Sequence, residues 1–93
     1  MEPTITYEPN RERSAAYIEN KNVGECCYIA EDNVWTIVHT FVRPELNGQG
    51  IATKLVAELV QQARSQNIKI EPQCVFARKE FREKPEYADV LKK

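Results

Sequence analysis

The spacing of apolar and polar positions changes character near residue 50. Before it, short runs alternate in the two-residue period of strands; after it, apolar residues recur at three- and four-residue steps, as on one face of a helix. The first run, Thr4 to Glu8, predicts a short edge strand, and Pro9-Asn10 a turn. Residues 13–19 predict a second strand, and Asn20-Lys21-Asn22 the next turn, because Asn tolerates the left-handed backbone. Residues 25–30 predict a third strand, with Cys27 and Ile29 on one face and Cys26, Tyr28 and Ala30 on the other. Glu31-Asp32-Asn33 then turns the chain into its longest strand. There Trp35, Ile37, His39 and Phe41 alternate against Val34, Thr36, Val38, Thr40 and Val42. Both sets hold apolar residues, which predicts a central strand covered on both faces.

Pro44 ends that strand, since it has no N–H for a ladder. Gly48 and Gly50 predict a tight, bare turn. A helix is predicted over about 50–66, with Ile51, Leu55, Leu59 and Ala63 as its stripe, widened by Ala52, Val56 and Val60. Asn67 suits a left-handed C-terminal cap. Ile68-Lys69-Ile70 predicts a short strand, and a strand-helix-strand unit of this length favours parallel pairing with the long strand. Pro72 fits the first turn of a second helix over 73–84, with Cys74, Ala77 and Phe81 on one stripe. Pro85 ends it, and residues 85–91 add a final helical turn before Lys92-Lys93. The fold class expected is therefore mixed α+β, with antiparallel N-terminal strands leading into a strand-helix-strand unit and a C-terminal helix.

Composition narrows the functions. The chain has 93 residues and a formal net charge of −1. One domain over 1–93 is expected. No long-range field draws it to nucleic acid, and no apolar run approaches a membrane span. Met1 is followed by Glu-Pro-Thr, so a secretory leader is not expected. Cys26, Cys27 and Cys74 do not form a secreted disulfide framework, and with the lone His39 they lack metal-ligand spacing. A reducing cytoplasm is expected, and no metal. Oligomeric state is not written in this pattern.

A strand, a glycine-bearing turn and a helix start make an anion site, because first-turn N–H groups have no partners within the helix. Three nucleotide motifs compete for the turn. A P-loop fails, since Gly48 leads only to Thr53 and Lys54. A dinucleotide fingerprint fails, since Thr53 stands where its third glycine or alanine belongs. The stretch Val42-Arg43-Pro44-Glu45-Leu46-Asn47-Gly48-Gln49-Gly50-Ile51-Ala52 resembles the acetyl-CoA pyrophosphate loop of the GNAT N-acetyltransferases. Their pattern Gln/Arg-x-x-Gly-x-Gly/Ala is matched from Asn47 through Gly50 to Ala52. Asn47 departs from the usual Gln or Arg. The pair His39-Thr40, Pro72-x-Cys74 and Pro85-Glu86-Tyr87 resemble, in order and spacing, the short YjdJ-type members. The likeness runs from about residue 15 to 91.

The resemblance implies a GNAT-like fold and acyl transfer from acetyl-CoA to an unidentified amine. It implies CoA contacts from the strand end Phe41, Val42 and Arg43, and from Asn47, Gly48, Gln49, Gly50, Ile51, Ala52 and Thr53. Arg43, Lys54 and Arg78 are either phosphate partners or a solvated face. Cys74, near a helix start, is either a reactive thiol or a packed residue. His39 is a general base or a core histidine, and Tyr87 a proton donor or a packed aromatic. The short members lack the last strands of a full GNAT domain, so a CoA-binding or interaction module without turnover is the alternative function.

Overall fold

The structure is a computed structural model and describes residues 2–93; Met1, and with it the expectation about a leader, lies outside them. Five strands form one sheet in chain order: β1 (Thr4–Glu8), β2 (Arg13–Ile18), β3 (Lys21–Glu31), β4 (Val34–Val42) and β5 (Lys69–Pro72). The first four pair antiparallel. β5 returns parallel to β4, from Val34 opposite Lys69 to Ile37 opposite Pro72, as a helical crossover requires.

The hairpin turns are tighter than the sequence suggests. Glu19 and Asn20 make the first one with φ of 52° and 68°, and Asp32 and Asn33 the second with 53° and 63°. Two consecutive left-handed residues match the twist of paired strands. Lys21 and Asn22 therefore belong to β3 rather than to the turn. Pairing with β2 extends β3 through residues that have little strand propensity of their own.

The crossover helix α1 (Ile51–Gln66) covers one face of the sheet. It buries Ile51, Leu55, Val56, Leu59, Val60 and Ala63, each large aliphatic contributing about 1.5–3 kcal/mol of transfer free energy. Ser14 Oγ donates to the Leu55 carbonyl at 2.8 Å and ties the helix to β2. Asn67 caps it with φ 58°, as its residue type predicts. Beneath the helix, Trp35 stacks on Tyr28 at 4.2 Å between ring centres.

The second helix, α2 (Val75–Glu83), starts two residues later than the pattern predicts, with Pro72 closing β5 instead of opening the helix. The amides of Gln73 and Cys74 both donate to the Ile37 carbonyl, at 3.0 and 3.1 Å. That ties these residues to the sheet and defers the helix to Val75. Phe81 and Ala77 pack into the same core as α1. A 3-10 segment, Pro85–Val90, follows, and Leu91 bridges to Ile70.

Among the described residues, the opposite face of the sheet carries no helix. Its residues include Cys27, Ile29, His39 and Phe41, and Phe41 is 45% exposed. The expectation that β4 is covered on both faces is therefore corrected. The uncovered face is knit by ions instead. Arg13 donates to Glu8 at 2.7 Å and to Glu25 at 2.6 Å, and the Tyr17 hydroxyl donates to Glu8.

Candidate active site

The site is built by an irregularity in β4. Cys27 pairs with His39 but Tyr28 pairs with Ile37, which leaves Val38 as the extra residue of a bulge. The bulge reverses the side-chain alternation. Trp35 and Ile37 point into the core before it, and Thr40 and Val42 lie on that side after it. His39 and Phe41 turn to the open face. This corrects the expectation that Trp35, Ile37, His39 and Phe41 share one face. His39 is no core histidine: its side chain is 52% exposed, with Nε2 3.4 Å from Glu25 Oε2.

The same strand loses its partner there. β5 pairs only as far as Ile37, and α2 takes over, so residues 38–42 have no strand on that side. The Arg43 N–H donates to the Val23 carbonyl of β3. Alternation in an antiparallel ladder then turns the N–H and C=O of Thr40 and Val42 away from β3, toward the vacated edge.

A cleft of about 550 Å³ opens along this edge. Its walls are the end of β4, the turn after it, the first turn of α1, and Phe76 of α2. Gly48 and Gly50 have φ of 85° and 79°, and a side chain at either would enter open space rather than meet the protein. Gly50 is the N-cap of α1 and supplies no side-chain cap; the first α1 amide to donate within the helix is Lys54, to the Gly50 carbonyl at 3.1 Å. No acidic residue stands in this turn. Among the described residues, the amides of 48–53 have no protein acceptor. Convergent free N–H groups and the positive end of the helix dipole make an anion cradle.

Of the predicted CoA residues, Phe41, Val42, Asn47, Gly48, Gly50, Ile51, Ala52 and Thr53 line the cleft; Arg43 and Gln49 do not. Arg43 pairs with Glu45 at 3.1 Å and Lys54 with Glu2 at 3.2 Å, both in solvent. The Thr53 hydroxyl donates to Glu80, a buried carboxylate also held by Lys84 at 2.7 Å. Thr40, Leu46 and Phe76 line the cleft without having been singled out for it. Leu46 is a lone apolar residue in a polar turn, a usable signal. Phe76 lies off the stripe of α2 and carries none.

Cys74 caps α2. Its Sγ accepts from the Ala77 N–H at 3.4 Å and lies 3.2 Å from Oγ1 of Thr40, which lines the cleft while Cys74 itself does not. Cys26 is buried against the same hydroxyl, and burial pushes its thiol up to about 12. Cys27 is raised as well, by burial and then by Glu25. Tyr87 packs tilted against Phe81, with ring centres 5.3 Å apart and planes at 55°, toward the far end of α2, and does not line the cleft. His39 and Cys74 thus flank one unpaired strand edge from opposite faces, while Tyr87 stays apart.

A profile of the GCN5-related N-acetyltransferase family matches residues 13–90, and the chain belongs to that family. Among solved structures, it is similar to a GCN5-like protein from Staphylococcus aureus. They share 32% identity over 96% of this chain and 87% of that one, with a TM-score of 0.75. It is also similar to a predicted acetyltransferase of Clostridium acetobutylicum solved with acetyl-CoA, at 21% identity over 81% and 58% and a TM-score of 0.60. N-acetylglutamate synthase of Neisseria gonorrhoeae, solved with coenzyme A and N-acetyl-glutamate, matches at 20% identity over 85% and 21%, with a TM-score of 0.63. These last two show the fold alone. The chain spans 58% of the first and 21% of the second. No protein of curated function matches the sequence. The mixed α+β architecture is that of the acyl-CoA N-acyltransferases. Among the described residues, no helix is long and apolar enough to cross a membrane.

Proposed function

We propose that the chain is an acetyl-CoA-dependent N-acetyltransferase, a single domain over residues 1–93 acting in the cytoplasm on an unidentified amine, without a metal. The observation that carries this is the uncapped start of α1, opening on a cleft beside the vacated edge of β4. The amides of 48–53 hold the pyrophosphate. Pantetheine runs along the β4 edge and takes up its free N–H and C=O groups, as an added strand would. The Val42 or Thr40 N–H polarises the thioester carbonyl.

The amine attacks this carbonyl directly. His39, on the open face, accepts the amine proton. As the C–S bond breaks, the thiol of Cys74 on the inner face donates a proton to the CoA sulfur, and solvent returns it. Alignment of amine and thioester supplies about 7–11 kcal/mol in well-oriented systems, and an oxyanion donor roughly 2.7–4 kcal/mol. These suffice for a substantial rate without a protein nucleophile. Tyr87 has no part in this scheme.

Two measurements test the proposal. Calorimetric titration with acetyl-CoA is expected to show stoichiometric binding, and its absence overturns the reading. Steady CoA release with a panel of small amines, peptide N-termini and lysine peptides then identifies the acceptor. Binding without release from any of them favours the module that holds CoA without turnover.

A further inference from the structure

One group of contacts centred on Thr40, which lines the cleft, is not used by the loop or by His39. Cys26 Sγ lies 3.4 Å from Thr40 Oγ1, Thr40 Oγ1 lies 3.2 Å from Cys74 Sγ, and the Ala77 N–H donates to that same sulfur at 3.4 Å. Three side chains, from β3, β4 and the N-cap of α2, form a line that starts in the core and passes through the cleft-lining Thr40. The bulge at Val38 makes it possible, because without it Thr40 would face the open side of the sheet. We infer that Cys26 and Thr40 are positioning residues that turn the Thr40 hydroxyl proton onto Cys74 Sγ. This deepens the role given to Cys74 in the proposed reaction and rests on that reading for its function.

The direction of the line follows from its ends. A threonine hydroxyl has one proton to give. If Thr40 gave it to Cys26, the Cys26 thiol proton would be left in the apolar core with no other acceptor. Cys26 is fully buried, and burial keeps its thiol protonated at neutral pH. The satisfied arrangement runs the other way: Cys26 S–H to Thr40 Oγ1, and Thr40 O–H to Cys74 Sγ. Cys74 Sγ then receives two hydrogen bonds, from Thr40 and from the Ala77 amide. Both are stronger to a thiolate than to a thiol. Among the described residues, the one proton of the line left without a protein acceptor is that of Cys74, beside the cleft-lining Thr40. Two donors aimed at the sulfur stabilise the negative charge that builds on it as it gives up its proton, whether to a departing thiolate or before attack on an electrophile.

The second consequence needs no acetyl-CoA and no acceptor to be measured. The wild-type chain and its variants are treated with iodoacetamide at neutral pH, and Cys74 modification is followed by peptide mass spectrometry. Thr40→Val removes the donor and is expected to slow Cys74 alkylation about tenfold, the loss of one charge-assisted hydrogen bond. Thr40→Ser keeps the hydroxyl and is expected to keep the rate. Cys26→Ala frees the hydroxyl to rotate and slows Cys74; Cys26→Ser restores a donor and the rate. The Cys26 pair decides the matter if Thr40→Val does not fold. A folded Thr40→Val or Cys26→Ala that alkylates at the wild-type rate overturns the inference, and so does a serine variant as slow as its apolar counterpart. If labelling follows the expected order but no amine is acetylated, the relay stands and the acetyltransferase reading falls.

Discussion

Gly50→Val separates what the turn after β4 does for the fold from what it does for a ligand. Gly50 sits at φ 79° and ψ 13°, and a Cβ built there finds no atom within 4 Å. The substitution therefore clashes with nothing in the protein. Its cost to the fold is the left-handed backbone alone, about 1–2 kcal/mol for an L-residue. In a chain of 93 residues each kcal/mol lowers Tm by roughly 4–8 °C. Binding should suffer more. The isopropyl group stands in the open space that the free amides face, and displaces the phosphates from one or two of them. Each charge-assisted hydrogen bond is worth about 1.5–3 kcal/mol, so Kd for acetyl-CoA should rise at least about tenfold per bond lost. Calorimetric titration below the variant's melting point reads the affinity, and circular dichroism confirms the fold. Gly50→Asn is the companion, because Asn tolerates the left-handed region: its Tm should fall less while its affinity still drops. A folded Gly50→Val with an unchanged Kd would refute the placement of the pyrophosphate at this turn.

Three more outcomes follow from the geometry. In the native protein, alkylation should reach Cys74 before Cys27 and leave Cys26 untouched, since burial raises the thiols of Cys26 and Cys27; preferential labelling of either would refute the choice of Cys74. Cys74→Ser should keep acetyl-CoA affinity and part of the turnover, because a hydroxyl still donates a hydrogen bond, whereas a stoichiometric acetyl adduct on Cys74 that discharges to amine at the rate of turnover would establish a covalent route instead. The Tyr17 hydroxyl, opposed by desolvation and helped by Arg13, holds the Glu8 carboxyl below its ordinary range. A carboxyl depressed in the folded state stabilises above its unfolded pKa, and that stability is lost as pH falls through the folded value; acid melting curves of Glu8→Gln should therefore be flatter than wild type below about pH 4.5, and identical slopes would exclude the effect.

Much of this was legible in the chain, wherever the cause is local. The period of Ile51, Leu55, Leu59 and Ala63 names the buried face of α1, because a helix repeats regardless of what it packs on. Gly48, Gly50 and Asn67 announce left-handed positions that other residues resist. The glycine turn at a helix start marks the anion cradle for the same reason: unpaired first-turn amides follow from helix geometry alone. Other features depend on who sits beside whom. The start of α2 moved to Val75 because the Ile37 carbonyl, more than thirty residues away in sequence, captured two amides. Phe76 lines the cleft from a position off its own helix's apolar stripe.

The bulge at Val38 is the largest of these differences. Strict alternation put His39 on one face with Trp35, Ile37 and Phe41, since a two-residue period has no means of counting an extra residue. The tertiary structure decides where the slip falls, because β3 must pair with β4 on both sides of it. That slip sends His39 to the open face and Thr40 toward Cys26 and Cys74. The amino-acid order by itself determined the elements, the covered helix face and the glycine turn with its free amides, whose physics is confined to neighbouring residues. Only the folded sheet, through one unpaired residue and the early end of β5, determined which side chains meet at the cleft.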